Sequence, residues 1–130
     1  MEKIDLHDKS KDFLSGFVEG FKINPYLRRC DHEIITPYLD RHNDHIIIYL
    51  NICYCYNYTF TVRDDGVTIG DLKMCGFETK AIEKIREKLK IEKVAEYYLI
   101  TYADKSNLVE KTNDFLEKLE KLSNYDYLKL

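Results

Sequence analysis

His45–Tyr56 reads HIIIYLNICYCY, and this stretch decides the fold. Its even-numbered positions from 46 to 52 are all aliphatic, and alternate residues of an extended chain point to the same side. The alternation predicts a strand with one face in the core. Asn57 is typical of a tight reversal, so a second, antiparallel strand is expected over Tyr58–Val62. Asp64, Asp65 and Gly66 then end that strand with turn residues.

An extended segment is also predicted before this stretch, over the β-branched run Glu33–Thr36. Pro37 should place that segment at a sheet edge or a bulge, because proline cannot donate a hydrogen bond to a neighbouring strand. The run DRHND, from Asp40 to Asp44, is typical of a turn, since Asp and Asn side chains bond nearby backbone groups. The sequence therefore predicts an antiparallel β-meander of about three to four strands.

Helical patterns flank the predicted meander. Residues 10–22 place their large apolar side chains on one helical stripe, which predicts an N-terminal helix ended by Asn24 and Pro25. Thr68, followed by an acidic residue at 71, is typical of a helix N-terminus whose hydroxyl caps a backbone amide. The remaining predicted elements are a short helix over about Ile69–Cys75 with Gly76 as its left-handed stop, a helix over about Thr79–Lys90, a strand over Glu96–Tyr102 and a helix over about Asn107–Leu122. The predicted class is α+β.

Composition limits the classes of function. A chain of 130 residues is expected to be a single domain, 1–130. A net charge of −3 disfavours direct binding to nucleic acid and suits a partner with a basic surface. The 11 tyrosines, against no tryptophan, suit a protein-binding face. No signal peptide or run of about 20 apolar residues is found, so a cytoplasmic protein without a membrane span is expected.

Two polar clusters, residues 40–45 and residues 63–65, are the first candidates for a chemical site. An up-and-down meander brings the start of one strand and the end of the next to the same end of the sheet, and the clusters lie at those two points. Five side chains there could converge on Mg²⁺ or Mn²⁺, because these ions prefer oxygen ligands: Asp40, His42, Asp44, Asp64 and Asp65. The alternative is two turns whose carboxylates bond their own backbone. The sequence leaves both interpretations open.

The cysteines offer a second candidate site. On extended strands, residues two apart point the same way, so Cys30 with His32 and Cys53 with Cys55 could each present two ligands in one direction. Together the four would make a tetrahedral zinc site of the structural type. The spacing differs from the common C-x₂-C, and buried free cysteines are often inert, so the alternative is that these cysteines are reduced thiols without a metal.

The stretches TPYLDRHNDHI, residues 36–46, and DDGVTIGDL, residues 64–72, carry a family resemblance. The chain resembles the domain-of-unknown-function family numbered eighteen-twenty-eight, which reads T-P-x-L-D-R-H-N-D-x-I and then D-D-G-x-T-I-x-D-L. That family occurs in phages, prophages and mobile elements of Gram-positive bacteria. Its shared polar positions correspond here to Asp40, Arg41, His42, Asn43, Asp44, Asp64 and Asp65. The cysteines lie outside the pattern.

The resemblance implies a small accessory protein of a phage or mobile element. The leading hypothesis is a non-enzymatic binding protein that inhibits a host defence factor, with a CRISPR effector nuclease as the most plausible target. One alternative is a metal-dependent phosphodiesterase that uses the Asp and His clusters. Another is a structural or regulatory module with a zinc site.

Overall fold

A computed structural model of the protein describes residues 20–28, 31–53 and 59–129. Within them the chain forms six strands, three helices and a final 3₁₀ turn. The strands are β1 (Lys22–Arg28), β2 (Asp31–Leu39), β3 (His45–Cys53), β4 (Thr59–Arg63), β5 (Glu92–Val94) and β6 (Tyr98–Ala103). The helices are α1 (Val67–Met74), α2 (Thr79–Lys88) and α3 (Leu108–Asn124), and the 3₁₀ turn is Tyr127–Lys129. This content confirms the predicted α+β class.

The six strands form one antiparallel sheet in the order β1-β2-β3-β4-β6-β5. The first four strands are consecutive neighbours, which confirms the predicted meander. β6 joins β4 only after α1 and α2 have intervened, and β5 lies at the edge. The register of β2 against β3 shifts between Ile35 and Leu39, so Pro37 lies at an irregularity of the ladder, one of the two places expected for it.

β3 shows the alternation that its sequence predicts. Ile46, Ile48 and Leu50 are buried, whereas Ile47 is 37% exposed. Ile48 lies opposite Ile34 of β2, and Leu50 lies opposite Val62 of β4. These inward residues form a single cluster with the buried residues of all three helices. The described helices therefore cover one face of the sheet, and the other face carries Ile47 and its neighbours on the strands.

The sheet is wider than predicted because β1 and β5 were missed. The predicted N-terminal helix was wrong at its end, since Lys22 begins β1; residues 10–19 lie outside the described part of the chain. Pro25 fits there because β1 is an edge strand, in which a missing N–H can face away from the ladder. β5 has only three residues, all exposed, so it has no hydrophobic period to recognise.

Helix α3 closes the core. Its buried side chains include Leu108, Phe115, Leu116, Leu119 and Leu122, at helical spacing along one stripe. The prediction placed this helix within two residues of its observed ends. The stop predicted for α1 is confirmed as well, because Gly76 has φ 91, a conformation that glycine adopts without strain.

Substitutions of the neighbouring residues Ile47 and Ile48 test which face of β3 is buried. Ile48→Ala should lower the free energy of unfolding by about 2–5 kcal/mol, because it leaves a cavity among fully buried side chains. Ile47→Ala should cost about 1 kcal/mol or less, since that side chain is already partly in water. Urea denaturation of both variants measures the difference. Equal losses would contradict the assignment of the two faces of β3.

Candidate functional site

The predicted turn between β2 and β3 is confirmed, and Asp40 organises it. The Asp40 Oδ1 atom accepts hydrogen bonds from the backbone N–H groups of His42, at 2.8 Å, and Asp44, at 3.1 Å. The Asp40 N–H in turn donates to the Asp44 carbonyl at 2.9 Å. Asn43 takes a left-handed conformation with φ 61, which Asn tolerates better than most residues. The carboxylate of Asp40 therefore fixes the positions of His42 and Asp44.

Arg41 attaches this turn to the C-terminal end of the chain. Its N–H donates to Ser123 Oγ at 3.1 Å, and its guanidinium donates to the Tyr125 carbonyl at 2.9 Å. The guanidinium carbon also lies 4.4 Å from the centre of the Phe77 ring, a cation–π arrangement. These contacts use the Arg41 side chain to hold the turn against the helices.

Asp64 is buried and accepts three backbone hydrogen bonds. Oδ1 accepts from the N–H groups of Gly66 and Leu99, both at 3.0 Å, and Oδ2 accepts from the Thr68 N–H at 3.1 Å. Burial raises the pKa of the Asp64 carboxyl, although these hydrogen bonds oppose the rise. Asp64 thus caps α1, and the predicted capping role of Thr68 was wrong. α1 begins at Val67, two residues earlier than predicted.

Asp65 lies beside Asp64 but points elsewhere. Its Oδ1 atom is 3.0 Å from Arg63 Nε, and both side chains are partly exposed. Its left-handed backbone, with φ 54, is part of the turn that leads into α1. Of the five residues predicted to converge, the structure brings Asp40, His42 and Asp44 together on one turn. It places Asp64 inside the fold and pairs Asp65 with Arg63.

A cavity of about 250 Å³ lies between the 40–44 turn, β3 and the start of α1. Three carboxylate residues line it: Asp40, Asp44 and Asp71. Its remaining lining is His45, Ile46, Ile47, Tyr49, Val67, Thr68 and Ser123. We call this space the acidic cavity. Because its acidic groups come from the 40–44 turn and from α1, it depends on the position of α1 beside that turn.

His45 at the cavity has a defined tautomer. Its Nδ1 atom is 2.7 Å from the Thr36 carbonyl oxygen, and a carbonyl can only accept. Nδ1 therefore carries the hydrogen. The Nε2 atom of the neutral ring is then an acceptor.

Exposed apolar side chains border the acidic cavity. Ile47 and Val67 both line it, and Val67 is 61% exposed. Gly66, just before Val67, lies close to the Tyr98 ring. Tyr98 in turn pairs with Val94 across β5 and β6, and both are about half exposed. We call Ile47, Val67, Val94 and Tyr98 the apolar border.

A cluster of three ligand-type side chains adjoins the cavity. The His42 Nε2 atom lies 2.9 Å from Asp71 Oδ2 and 3.7 Å from Cys75 Sγ. All three ligand atoms lie within 4.8 Å of one another. His42 comes from the first stretch that carries the family resemblance and Asp71 from the second. The contact between them joins those two stretches in space.

Most of the predicted zinc site falls outside the described part of the structure. Cys30, Cys55 and the side chain of Cys53 are not among the described residues. His32 is described, and it is buried at 1% exposure opposite Leu50. The site of Cys30, His32, Cys53 and Cys55 therefore stays a prediction.

Sequence reasoning missed two lining residues, Asp71 and Ser123. Asp71 was interpreted only as a charge that favours the start of a helix, whereas it lies one turn further on and faces the 40–44 turn. Its position four residues before Cys75 was the available signal, since residues four apart share one face of a helix. Ser123 carries no such signal, because its role depends on how α3 packs.

A family model matches the greater part of the chain. The family model described as "Domain of unknown function DUF1828" matches residues 36–121. No curated protein and no solved structure matches the chain. Among the described residues, no helix is both long and apolar enough to cross a membrane.

Asp64 and Asp65 are adjacent but have different roles, and substitutions at the two positions test the difference. Asp64→Ala should lower the free energy of unfolding by about 3 kcal/mol, since it removes the cap of α1 and leaves the Leu99 N–H buried without an acceptor. Asp65→Asn should cost less than about 1 kcal/mol, because it loses only a partly exposed ion pair and Asn tolerates the left-handed backbone. Urea denaturation compares the two. A larger loss in Asp65→Asn would contradict the assignment.

Proposed function

The chain belongs to the DUF1828 family, whose function is unknown, and on that premise we propose that it is a binding protein that seats a basic side chain of a partner protein in the acidic cavity. The observation that carries this proposal is the convergence of Asp40, Asp44 and Asp71 around one recess. A Lys or Arg side chain is the natural occupant of a recess with several carboxylates.

The size of the acidic cavity favours a single side chain over a small-molecule substrate. Its volume of about 250 Å³ is below the roughly 300–1,000 Å³ that is usual for small-molecule sites. Within the described residues, no hydrogen bond or ion pair engages the Asp44 carboxylate, which is exposed at the mouth. Asp44 is therefore the group with most capacity to accept a new ion pair.

The apolar border supplies the second part of a binding surface. Strong interfaces combine a few central anchors with surrounding contacts that exclude water. Val67 lines the acidic cavity, and Tyr98 lies close to the neighbouring Gly66; both are exposed, so a partner that enters the acidic cavity can also cover them. Covering them would shield the ion pair from solvent and so strengthen it.

The charge of the whole molecule suits the same kind of partner. A net charge of −3 favours encounter with a basic surface, and such steering weakens as salt increases. Proteins that hold nucleic acid present basic grooves of this kind. An acidic protein can occupy such a groove in place of the nucleic acid.

For the identity of the partner, we propose a host defence factor, with a CRISPR effector nuclease as the favoured target. The support is the resemblance to proteins of phages and mobile elements, together with the small size of the chain and its acidic recess. Such a protein would act by occupancy, with about one copy per target.

The phosphodiesterase alternative has less support from the geometry. A two-cluster metal site needs free carboxylate oxygens, but Asp40 Oδ1 holds its own turn and both oxygens of Asp64 accept backbone hydrogen bonds. Asp65 is paired with Arg63. These carboxylates build turns and a helix cap, which is the second interpretation that the sequence left open.

Charge reversal at the acidic cavity tests the proposal. We expect Asp44→Lys to weaken inhibition of a Cas9-type nuclease by about 30-fold or more, because an ion pair that the partner shields from solvent is replaced by like charges. Glu110→Lys is the matched control: it makes the same change in net charge on an exposed position at the start of α3, far along the helix from Ser123. The measurement is a titration of nuclease activity at two salt concentrations, with the mass of the target checked afterwards.

The outcomes separate binding at the acidic cavity from the identity of the target. Saturation near one equivalent, loss in Asp44→Lys and retention in Glu110→Lys are expected. Complete inhibition at a tenth of an equivalent, or a changed target mass, would overturn binding by occupancy. Equal weakening in the two variants would overturn the acidic cavity as the contact site, and no inhibition by wild-type protein would overturn the choice of a Cas9-type target.

A further inference from the structure

We infer that His42, Asp71 and Cys75 form a binding site for one Zn²⁺ ion. This site differs from the two predicted from the sequence, since it shares only His42 with one of them. The site shares Asp71 with the acidic cavity, which keeps the carboxylates of Asp40 and Asp44 when Asp71 coordinates an ion.

The distances among the three ligand atoms fit one ion. Two ligands of a tetrahedral zinc lie about 3.3–3.6 Å apart, given Zn–N bonds of about 2.0 Å and Zn–S bonds of about 2.3 Å. The His42 Nε2 atom is 3.7 Å from Cys75 Sγ and 2.9 Å from Asp71 Oδ2. All three ligand atoms lie within 4.8 Å of one another, so shifts of about 1 Å bring them to coordination geometry, and rotations of side chains supply such shifts.

The three side chains converge on one point, which differs from the linear arrangement of a catalytic Cys–His–Asp relay. In a Cys–His–Asp relay, the thiol approaches one ring nitrogen and the carboxylate approaches the other. Here Asp71 and Cys75 both approach the same nitrogen, His42 Nε2. An imidazole nitrogen, a carboxylate and a thiolate on one side can share a proton or a metal ion, and metal binding separates the two cases.

Local structure positions each ligand before any ion arrives. Asp40 holds the backbone of His42 in the turn. Asp71 and Cys75 are one helical turn apart, and the Cys75 N–H donates to the Asp71 carbonyl at 3.0 Å. Cys75 is also the C-cap of α1, where the partial negative charge of a helix end attracts cations.

The donor set favours zinc. Thiolate and imidazole ligands favour zinc over Mg²⁺ and Ca²⁺, which take oxygen ligands. Three protein ligands leave one coordination position for water or for a ligand from another molecule. His42 and Cys75 are exposed, so that position is accessible.

Cobalt spectroscopy tests the site, because Co²⁺ takes the place of Zn²⁺ and a cobalt–thiolate bond has a charge-transfer band. The wild-type protein should bind one equivalent of Co²⁺ with that band, and Zn²⁺ should displace it. Cys75→Ser should abolish the band. His42→Gln and Asp71→Asn should each weaken Zn²⁺ binding more than about tenfold, since even outer-shell changes at metal sites cost that much.

Two control variants separate this site from the others. Asp44→Asn removes a carboxylate of the same turn and should leave the band unchanged. Cys53→Ser removes a cysteine of the four-residue zinc site predicted from the sequence and should also leave it unchanged. A band that survives Cys75→Ser or that disappears in Cys53→Ser, or wild-type protein without a band, would overturn the inference.

Alkylation provides a readout that needs no variant. Iodoacetamide should modify Cys75 in the metal-free protein, and mass spectrometry of the peptide that contains Cys75 measures the rate. One equivalent of Zn²⁺ should slow that rate at least tenfold, because a coordinated thiolate is no longer available. An unchanged rate with Zn²⁺ would overturn the site.

Discussion

The buried carboxylate of Asp64 is the interaction on which the geometry of the acidic cavity depends. It follows β4 directly, accepts the Leu99 N–H of β6 and accepts two N–H groups at the start of α1. One side chain therefore joins a central strand, its neighbour in the sheet and the first helix. Burying a carboxyl is costly, as the raised pKa of Asp64 reflects, and the backbone hydrogen bonds offset that cost.

The direction of α1 decides what surrounds the acidic cavity. Once Asp64 fixes the first turn of the helix, Val67 and Thr68 lie at the cavity and Asp71 faces the turn between β2 and β3. Asp40 has the corresponding role in that turn, where it holds the backbone of His42 and Asp44. The aspartates of the two family stretches thus have two roles. Some stabilise the backbone through hydrogen bonds, and others direct their carboxylates toward the acidic cavity. Asp44 and Asp71 belong to the second group, which is why the proposed binding site centres on them.

Much of the fold follows from local pattern, and the remainder depends on long-range packing. The period of two in β3 predicts its buried face, and the apolar stripe of α3 predicts that helix within two residues. β5 could not be predicted, because three exposed residues become a strand only by pairing with β6.

The cap of α1 was assigned to Thr68 because its hydroxyl is next to the helix. Asp64 takes that role instead, since its carboxylate reaches both the helix and Leu99. The candidate site was predictable in part: the 40–44 turn was found, whereas the approach of Asp71 and Cys75 to His42 spans 29 and 33 residues of sequence.

An NMR titration tests directly, without knowledge of the partner, whether the acidic cavity accepts a cationic side chain. The ¹⁵N-labelled protein is titrated with N-acetyl-arginine amide and, in parallel, with the neutral isostere N-acetyl-citrulline amide. The account predicts that the arginine compound shifts the amide signals of Asp44, His45 and Thr68, that added salt reduces these shifts, and that the citrulline compound leaves them in place. Equal shifts with both compounds, or arginine-dependent shifts confined to residues outside the acidic cavity, would contradict it.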